Sequence, residues 1–517
     1  MNSRAVSTPH RLSAEAGRET LDAGGNAVDA AVAATAAQGV VAPETCGLGG
    51  DLFALIHAPG WDRPRALNAS GRAGSNADAA ALREAGLTDI PADHPAAVTI
   101  PGCVDGLIAL VSELGRLDLP TVLEPATRLA SDGFEVSTEQ AAAFSRRADE
   151  YRENPAVADF YSGGSPVAPG DTVVRSDLAR VLADLADGGR DAFYGGMAGE
   201  DVSEAVGGMI TLEDMTTSQA EWVDPIAAEV AGLTAWTIPP NSQGYLGPAA
   251  LAVFELLSPP DDPEDPLWWH LLIESYRCLA WERDDLVSEP ETMALPVELL
   301  LNRDRLQRAA DTVDRNHTGV WPQSMSKSSG TAYLCAADAD DMAVSMIQSN
   351  YRGTGSPFGA SRSGFLLQDR GMGFNLTPGH PNELRPGKRP LHTLAPTIWT
   401  SDNRARWVLG TRGGAVQPQL IAQVAARAIL GGSDLVATQR APRWTTSSFG
   451  PGTGSNLSVE PGVSRRILDD LLGRGHSLTI LDRDQPGWGP LSVIELDGDQ
   501  KRSAPDPRVD TATSLIF

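Results

Sequence analysis

A polar, turn-rich stretch from His317 to Gly330, ending in Ser326-Lys327-Ser328-Ser329-Gly330, runs straight into Thr331-Ala332-Tyr333-Leu334-Cys335-Ala336-Ala337. The second run is apolar on both of its alternating faces. That limits the fold more than anything else in the chain, because such a strand must be covered from two sides. Asp338–Asp341 predicts a turn and Met342–Ser349 a second buried strand. The pair reads as a hairpin with Thr331 at its exposed mouth, and a polar loop that delivers a threonine to the head of a core strand is what a chain cut at that point would need.

The chemistry of a cut there is specific. An interior threonine hydroxyl has no base of its own. Cleaving the bond before Thr331 frees an α-amine of pKa roughly 7.7–8.0, which takes the hydroxyl proton at neutral pH. Nucleophile and base then belong to one residue, and the same hydroxyl attacking the Gly330 carbonyl performs the cut.

Other chemistries find no support in the sequence. There is no G-x-S-x-G elbow, H-E-x-x-H, P-loop or G-x-G-x-x-G after a strand. The eight histidines are scattered and show no metal-ligand spacing. With 41 basic against 67 acidic residues the net charge is −26, which argues against a nucleic-acid partner. Four isolated cysteines, Cys46, Cys103, Cys278 and Cys335, predict free, partly buried thiols in a reducing compartment. With no secretory h-region and no membrane-spanning stretch visible, the expected location is the cytoplasm, with no membrane partner.

Elsewhere the reading is plain. Ser13–Ala23 predicts a helix stopped by Gly24-Gly25, and Asn26 caps an alanine-rich helix over Ala27–Gln38 ended by Gly39. Gly47-Leu48-Gly49-Gly50 is a tight turn into a strand over Asp51–Ile56. Helices dominate from about Gly102 to Leu185 and from Pro266 to Asp285, and Trp236–Gly244 is a strand running into a loop. Gly410-Thr411-Arg412-Gly413-Gly414 lies between a strand at Trp407–Leu409 and a helix over about Gln417–Leu430. Adjacent glycines before a helix can turn backbone N–H groups toward an anion, which for acyl transfer is an oxyanion hole worth about 3–4 kcal/mol per donor.

Taken together, the ordered motifs resemble those of the γ-glutamyltranspeptidases along nearly the whole chain. They are Gly24-Gly25-Asn26-Ala27-Val28-Asp29-Ala30-Ala31, Gly47-Leu48-Gly49-Gly50-Asp51, Ile100-Pro101-Gly102, Asp191-Ala192-Phe193-Tyr194, Gly208–Asp214, Pro386–Pro390, Gly413-Gly414 and Asp506-Pro507-Arg508. The resemblance implies an α+β N-terminal-nucleophile hydrolase, an αββα sandwich of two antiparallel sheets between helical layers. It implies a precursor split into residues 1–330 and 331–517 that stay associated, acting on a small-molecule amide without a metal or organic cofactor. Thr331 would be the nucleophile, Gly413 and Gly414 the oxyanion pair, Ser349 a supporting hydroxyl and Asn350 a substrate contact.

Several positions depart from the family pattern. Ala332 follows the nucleophile where a second threonine is usual. Met372-Gly373 replaces the acidic pair that reads the substrate amino group, Arg370 replaces a polar amide, and His392-Thr393 replaces a serine pair. Arg72 lies close to the family's carboxylate-binding arginine. These changes spare the catalytic residues and alter the pocket, as in the branch with cephalosporin-acylase-like members. The expected activity is hydrolysis or transfer of γ-glutamyl or related acyl amides through an acyl-Thr331 intermediate. A glutaryl- or cephalosporin-type acylase and an uncleaved, non-catalytic homologue are the alternatives.

Overall fold

The computed structural model describes residues 3–321, 330–446, 456–498 and 500–517. The polar loop expected before the nucleophile lies for the most part outside these. The hairpin forms as its pattern demands: Gly330–Ala337 pairs antiparallel with Ala343–Tyr351, every residue from Thr331 to Ala337 buried. It sits in the middle of a seven-stranded antiparallel sheet. The order runs Thr513–Ile516, Ala5–Thr8, Gly330–Ala337, Ala343–Tyr351, Asp51–His57, Arg65–Ala69, Glu221–Val223. A second antiparallel sheet has the order Gln500–Arg502, Leu491–Asp497, Arg404–Thr411, Thr397–Ser401, Leu233–Thr237, Ile226–Val230.

The alternating faces of the hairpin find different partners. Tyr333, Cys335 and Ile347 meet Phe53, Leu55, Ile398, Val408 and Ile494 between the sheets. Leu334, Ala336, Val344 and Met346 pack outward on helices Arg11–Asp22, Ala27–Val41 and Cys103–Leu114. The outer face of the second sheet is covered by helices Leu246–Leu256, Pro266–Ala280 and Gln417–Ala425. The result is helix, sheet, sheet, helix, and the two-sided burial of one strand is its direct cause.

Three local expectations need correction. Gly39 does not end its helix, which continues to Val41. A side chain there would press within 3.1 Å of the Gly47 backbone, so this glycine serves close packing against the glycine turn. The helix from Gln417 is regular only to Ala425 and then widens into a π-helical turn over Ala426–Leu430. All four cysteines are buried, Cys46, Cys103 and Cys335 completely, and all are free. Among the described residues no helix is long and apolar enough to cross a membrane.

Candidate active site

Strand parity brings the site together. Thr331 and Tyr333, Ser349 and Ile347, and Asp51 and Phe53 lie on three adjacent strands and share the face turned to the second sheet. The register places Ser349 directly opposite Asp51. On the other side the ladder slips between Gly330 and Ala332, so Ser349 and Asn350 together oppose the single Thr331. This is a β-bulge, a device that re-aims a side chain. Here it sets the Ser349 hydroxyl 3.1 Å from the Thr331 hydroxyl.

Both hydroxyls converge on one carbonyl. Thr331 Oγ1 is 2.7 Å and Ser349 Oγ 2.8 Å from the Gly330 oxygen, and Ser349 Oγ accepts the Tyr351 N–H at 2.8 Å. The carbonyl before Thr331 is thus polarised by two donors. Thr331 is not at an exposed mouth. It is wholly buried, because strands close over it on both sides, and only Gly330 is partly open. Gly330 has a steric reason to be glycine, since a Cβ there would come within 2.4 Å of the Gly353 Cα.

Beneath the hydroxyls lies a buried network of charge. Arg370 Nη2 reaches Ser349 Oγ at 3.5 Å, its Nη1 donates to Thr393 Oγ1 at 3.1 Å, and its guanidinium stacks on the Tyr351 ring. Arg370 Nε stands 3.6 Å from Asp51 Oδ2, an ion pair too long for a hydrogen bond. His392 Nδ1 accepts the Leu394 N–H, so its Nε2 carries the proton given to Asp51 at 3.0 Å. Burial and then the Arg370 charge push the His392 pKa down to about 3, so the ring is neutral and positions Asp51. Asp51 also accepts Gly71 N–H at 2.7 Å. Asp51 closes the Gly47–Asp51 motif, where nothing in the sequence alone marks it as a site residue; its strand parity relative to Ser349 is the signal.

The other expected site residues divide. Asn350 packs on the Gly47–Gly50 turn and donates to the Thr354 carbonyl. Arg72 stands apart from Thr331, paired with Glu289 at 2.6 Å and Glu221 at 3.3 Å. Gly413 and Gly414 have φ of 129° and 58°, values that favour glycine, and among the described residues neither N–H finds an acceptor. The strand leading to them runs against the Gly330–Ala337 strand, Gly410 lying on the Tyr333 ring. The Gln243 amide ties the Gly414 carbonyl to that of Thr393, each at 3.1 Å.

A cleft of about 860 Å³ opens beside Gly330, lined also by Glu44, Thr45, Gly353, Thr354, Arg412 and Arg508 among others. Glu44 is buried against it, and burial, with Glu139 nearby, pushes its pKa up to about 8. The one described cluster with metal-type donors is elsewhere, at His270, Glu274 and His476. Its groups are already engaged: His270 bonds His476 and the Asp314 carbonyl, both at 2.8 Å, and Glu274 accepts from Thr318, Gly319 and Trp321. Those bonds suit a hydrogen-bonded structural wedge better than a metal site.

Two antiparallel sheets between helical layers, with a threonine heading a central strand, define the fold of the N-terminal-nucleophile hydrolases. The sequence profile described as gamma-glutamyltranspeptidase matches residues 13–516. The chain belongs to that family. It is 33% identical to the glutathione hydrolase-like YwrD proenzyme of Bacillus subtilis, over 98% of this chain and 97% of that one. It is 32% identical to the oxamate amidohydrolase proenzyme of Klebsiella pneumoniae, over 99% and 100%. The crystal structure of a cephalosporin acylase from Bacillus halodurans superimposes with a TM-score of 0.90 at 30% identity, covering 99% of this chain and 95% of that one.

Proposed function

We propose that this chain is a self-processing amidohydrolase or acyltransferase that cuts itself between Gly330 and Thr331 and then works through an acyl-Thr331 ester. The observation that carries the reading is the pair of hydroxyls, Thr331 and Ser349, held on the Gly330 carbonyl at 2.7 and 2.8 Å. Thr331 Oγ1 attacks the Gly330 carbonyl carbon, the C–N bond breaks, and the nitrogen takes the proton that the hydroxyl loses. The product is an ester with a free Thr331 α-amine. Water then splits the ester, leaving the Gly330 carboxylate and the Thr331 hydroxyl. Fragments 1–330 and 331–517 remain together.

In turnover the α-amine takes the Oγ1 proton as the hydroxyl attacks a substrate amide, then returns it to the leaving amine. Gly413 and Gly414 supply N–H donors to the oxyanion, supported by their acceptor-free N–H groups and left-handed backbone. The proenzyme names of the two curated relatives agree with processing. N-terminal sequencing of the smaller fragment should read Thr-Ala-Tyr-Leu. Thr331→Ala should stay whole and lose activity on the order of 10⁶-fold, the size seen when a hydrolase loses its nucleophile, whereas Thr331→Ser should retain some cleavage. Normal processing of Thr331→Ala would sink the assignment.

Acyl donors without an α-amine suit the site best. Where the family reads an ammonium, Met372 Sδ lies 3.6 Å from the Arg352 guanidinium, so an incoming ammonium would face a cation. Glutaryl anilides should exceed γ-glutamyl anilides in kcat/KM. The reverse preference would point to Asp369, a buried carboxyl raised to about 6 by burial, as an amine reader.

A further inference from the structure

We propose that Arg146, Arg352 and Arg483 form an anion-binding rim at the mouth of the cleft, which takes a carboxylate at the far end of the acyl group delivered to Thr331. The inference rests on the reading of Thr331 as nucleophile. Gly330 is the acyl half of the bond that Thr331 would cut in its own chain, and it is Gly330 that borders the cleft. The cleft therefore receives the acyl part of a substrate.

The three guanidiniums come from distant places in the chain. Arg146 closes helix Thr138–Arg146, Arg352 follows strand Ala343–Tyr351, and Arg483 follows strand Ser477–Ile480. All three are exposed and line the cleft. Among the described residues none of them has a carboxylate within ion-pair distance. The neighbouring arginines of the same wall are engaged: Arg147 with Glu150, Arg412 with Glu139, Arg508 with Glu460 and Asp506.

The acids of the wall do not cancel this trio. Glu139 is held by Arg412, and burial raises the Glu44 carboxyl to about 8. That leaves Asp510 on the wall, and Asp369 buried behind Arg352, against three guanidiniums that form no ion pair among the described residues, in a chain whose net charge is −26. Against such an acidic background, unmatched positive charge gathered at one concave mouth focuses the field on an entering anion. The arginines considered from sequence are unsuited to the task. Arg370 is buried against Asp51, and Arg72 is paired with Glu221 and Glu289.

The experiment compares anilides of glutaric, adipic and suberic acids, each as free acid and as methyl ester, on the processed enzyme. For at least one chain length the acid should exceed its ester in kcat/KM by about tenfold or more at low salt, and the ratio should shrink as ionic strength rises. In R146Q/R352Q/R483Q the ratio should fall to within about twofold of one. No preference for the acid at any length, or a preference that survives the triple substitution, overturns the rim. If the chain is unprocessed and turns over nothing, the nucleophile reading has failed instead. Calorimetry of suberate on the intact wild-type and triple-variant chains then decides the rim: it stands if only the wild type binds, and falls if the two behave alike.

Discussion

Two knots of charge lie wholly inside the molecule and are built on different terms. At Asp506-Pro507-Arg508, two cations and two anions are matched: Arg443 to Asp506 at 2.7 Å, and Arg508 to Asp506 and Glu460. Apart from the Gln439 side-chain amide, which accepts from Arg443 Nη2 at 3.0 Å, the remaining bonds of this knot end on main chain, at Gln439 O, Ala441 O, Trp488 O, Leu491 N and Gln485 N among others. The Asp51–Arg370–His392 knot has one cation, one anion and a neutral ring, and it ends on the Ser349 hydroxyl. The first ties loops together and holds a wall of the cleft. The second connects burial to a hydroxyl held on the Gly330 carbonyl. Equal burial thus accompanies different work, and where the last hydrogen bond lands tells them apart.

Substitutions can test that contrast, beginning with the largest effect. Arg508→Met strands Glu460 and Asp506 in the interior and should cost about 3–5 kcal/mol of stability in denaturant unfolding. Whatever folds should still process and turn over; a folded but unprocessed variant would place this knot in the chemistry. Ser349→Ala removes one of the two donors on the Gly330 carbonyl. Self-cleavage should slow by about 10²-fold, near 3 kcal/mol, with the fold intact.

Arg370→Gln is the intermediate case. Asp51 would keep its donors Gly71 N, Gln368 and His392, so the stability loss should be milder, about 1–3 kcal/mol. Cleavage should nonetheless slow by roughly tenfold through the loosened Ser349, a separation of rate from stability that Arg508→Met should not show. If both arginine variants lose stability and rate in proportion, the distinction between the knots fails.

The smallest effect concerns Glu44. Burial raises its carboxyl from the ordinary 4.5 to about 8, with Glu139 adding to the shift and Arg412 and Arg175 opposing it. The folded state then holds a proton that the unfolded chain releases. This contribution to stability is complete below about pH 4.5 and disappears as pH rises through about 8. Unfolding free energy of the wild type should decline over that window, and Glu44→Gln should flatten the decline. An unchanged slope in the variant would show that Glu44 is already ionised.

The central hairpin was legible because two-sided apolar patterning has one physical meaning, burial between layers. Thr331, the proposed nucleophile, was singled out because a polar stretch meets that strand. What stayed hidden depended on neighbours supplied by other strands. Asp51 opposes Ser349 only through the register, and the bulge that turns Ser349 toward Thr331 leaves no periodic signature. The carboxylates that Arg72 pairs with, Glu221 and Glu289, were hidden because its place in a motif says nothing of which acids its side chain will meet. The rim arginines are scattered over more than three hundred positions, and only folding gathers them.

The order of strands has a consequence for the life of the molecule. In the first sheet the C-terminal strand 513–516, the N-terminal strand 5–8 and the Gly330–Ala337 strand are neighbours, and Ala343–Tyr351 lies against Asp51–His57. The second sheet has a further seam between Thr397–Ser401 and Leu233–Thr237. A cut before Thr331 would leave two polypeptides woven through four such seams, with ends that no longer meet in one backbone. Threading one through the other afresh would require pairing distant strands without the covalent tether that first brought them close. The working protein would therefore carry a memory of having been one chain: once unravelled, its halves should not find each other again.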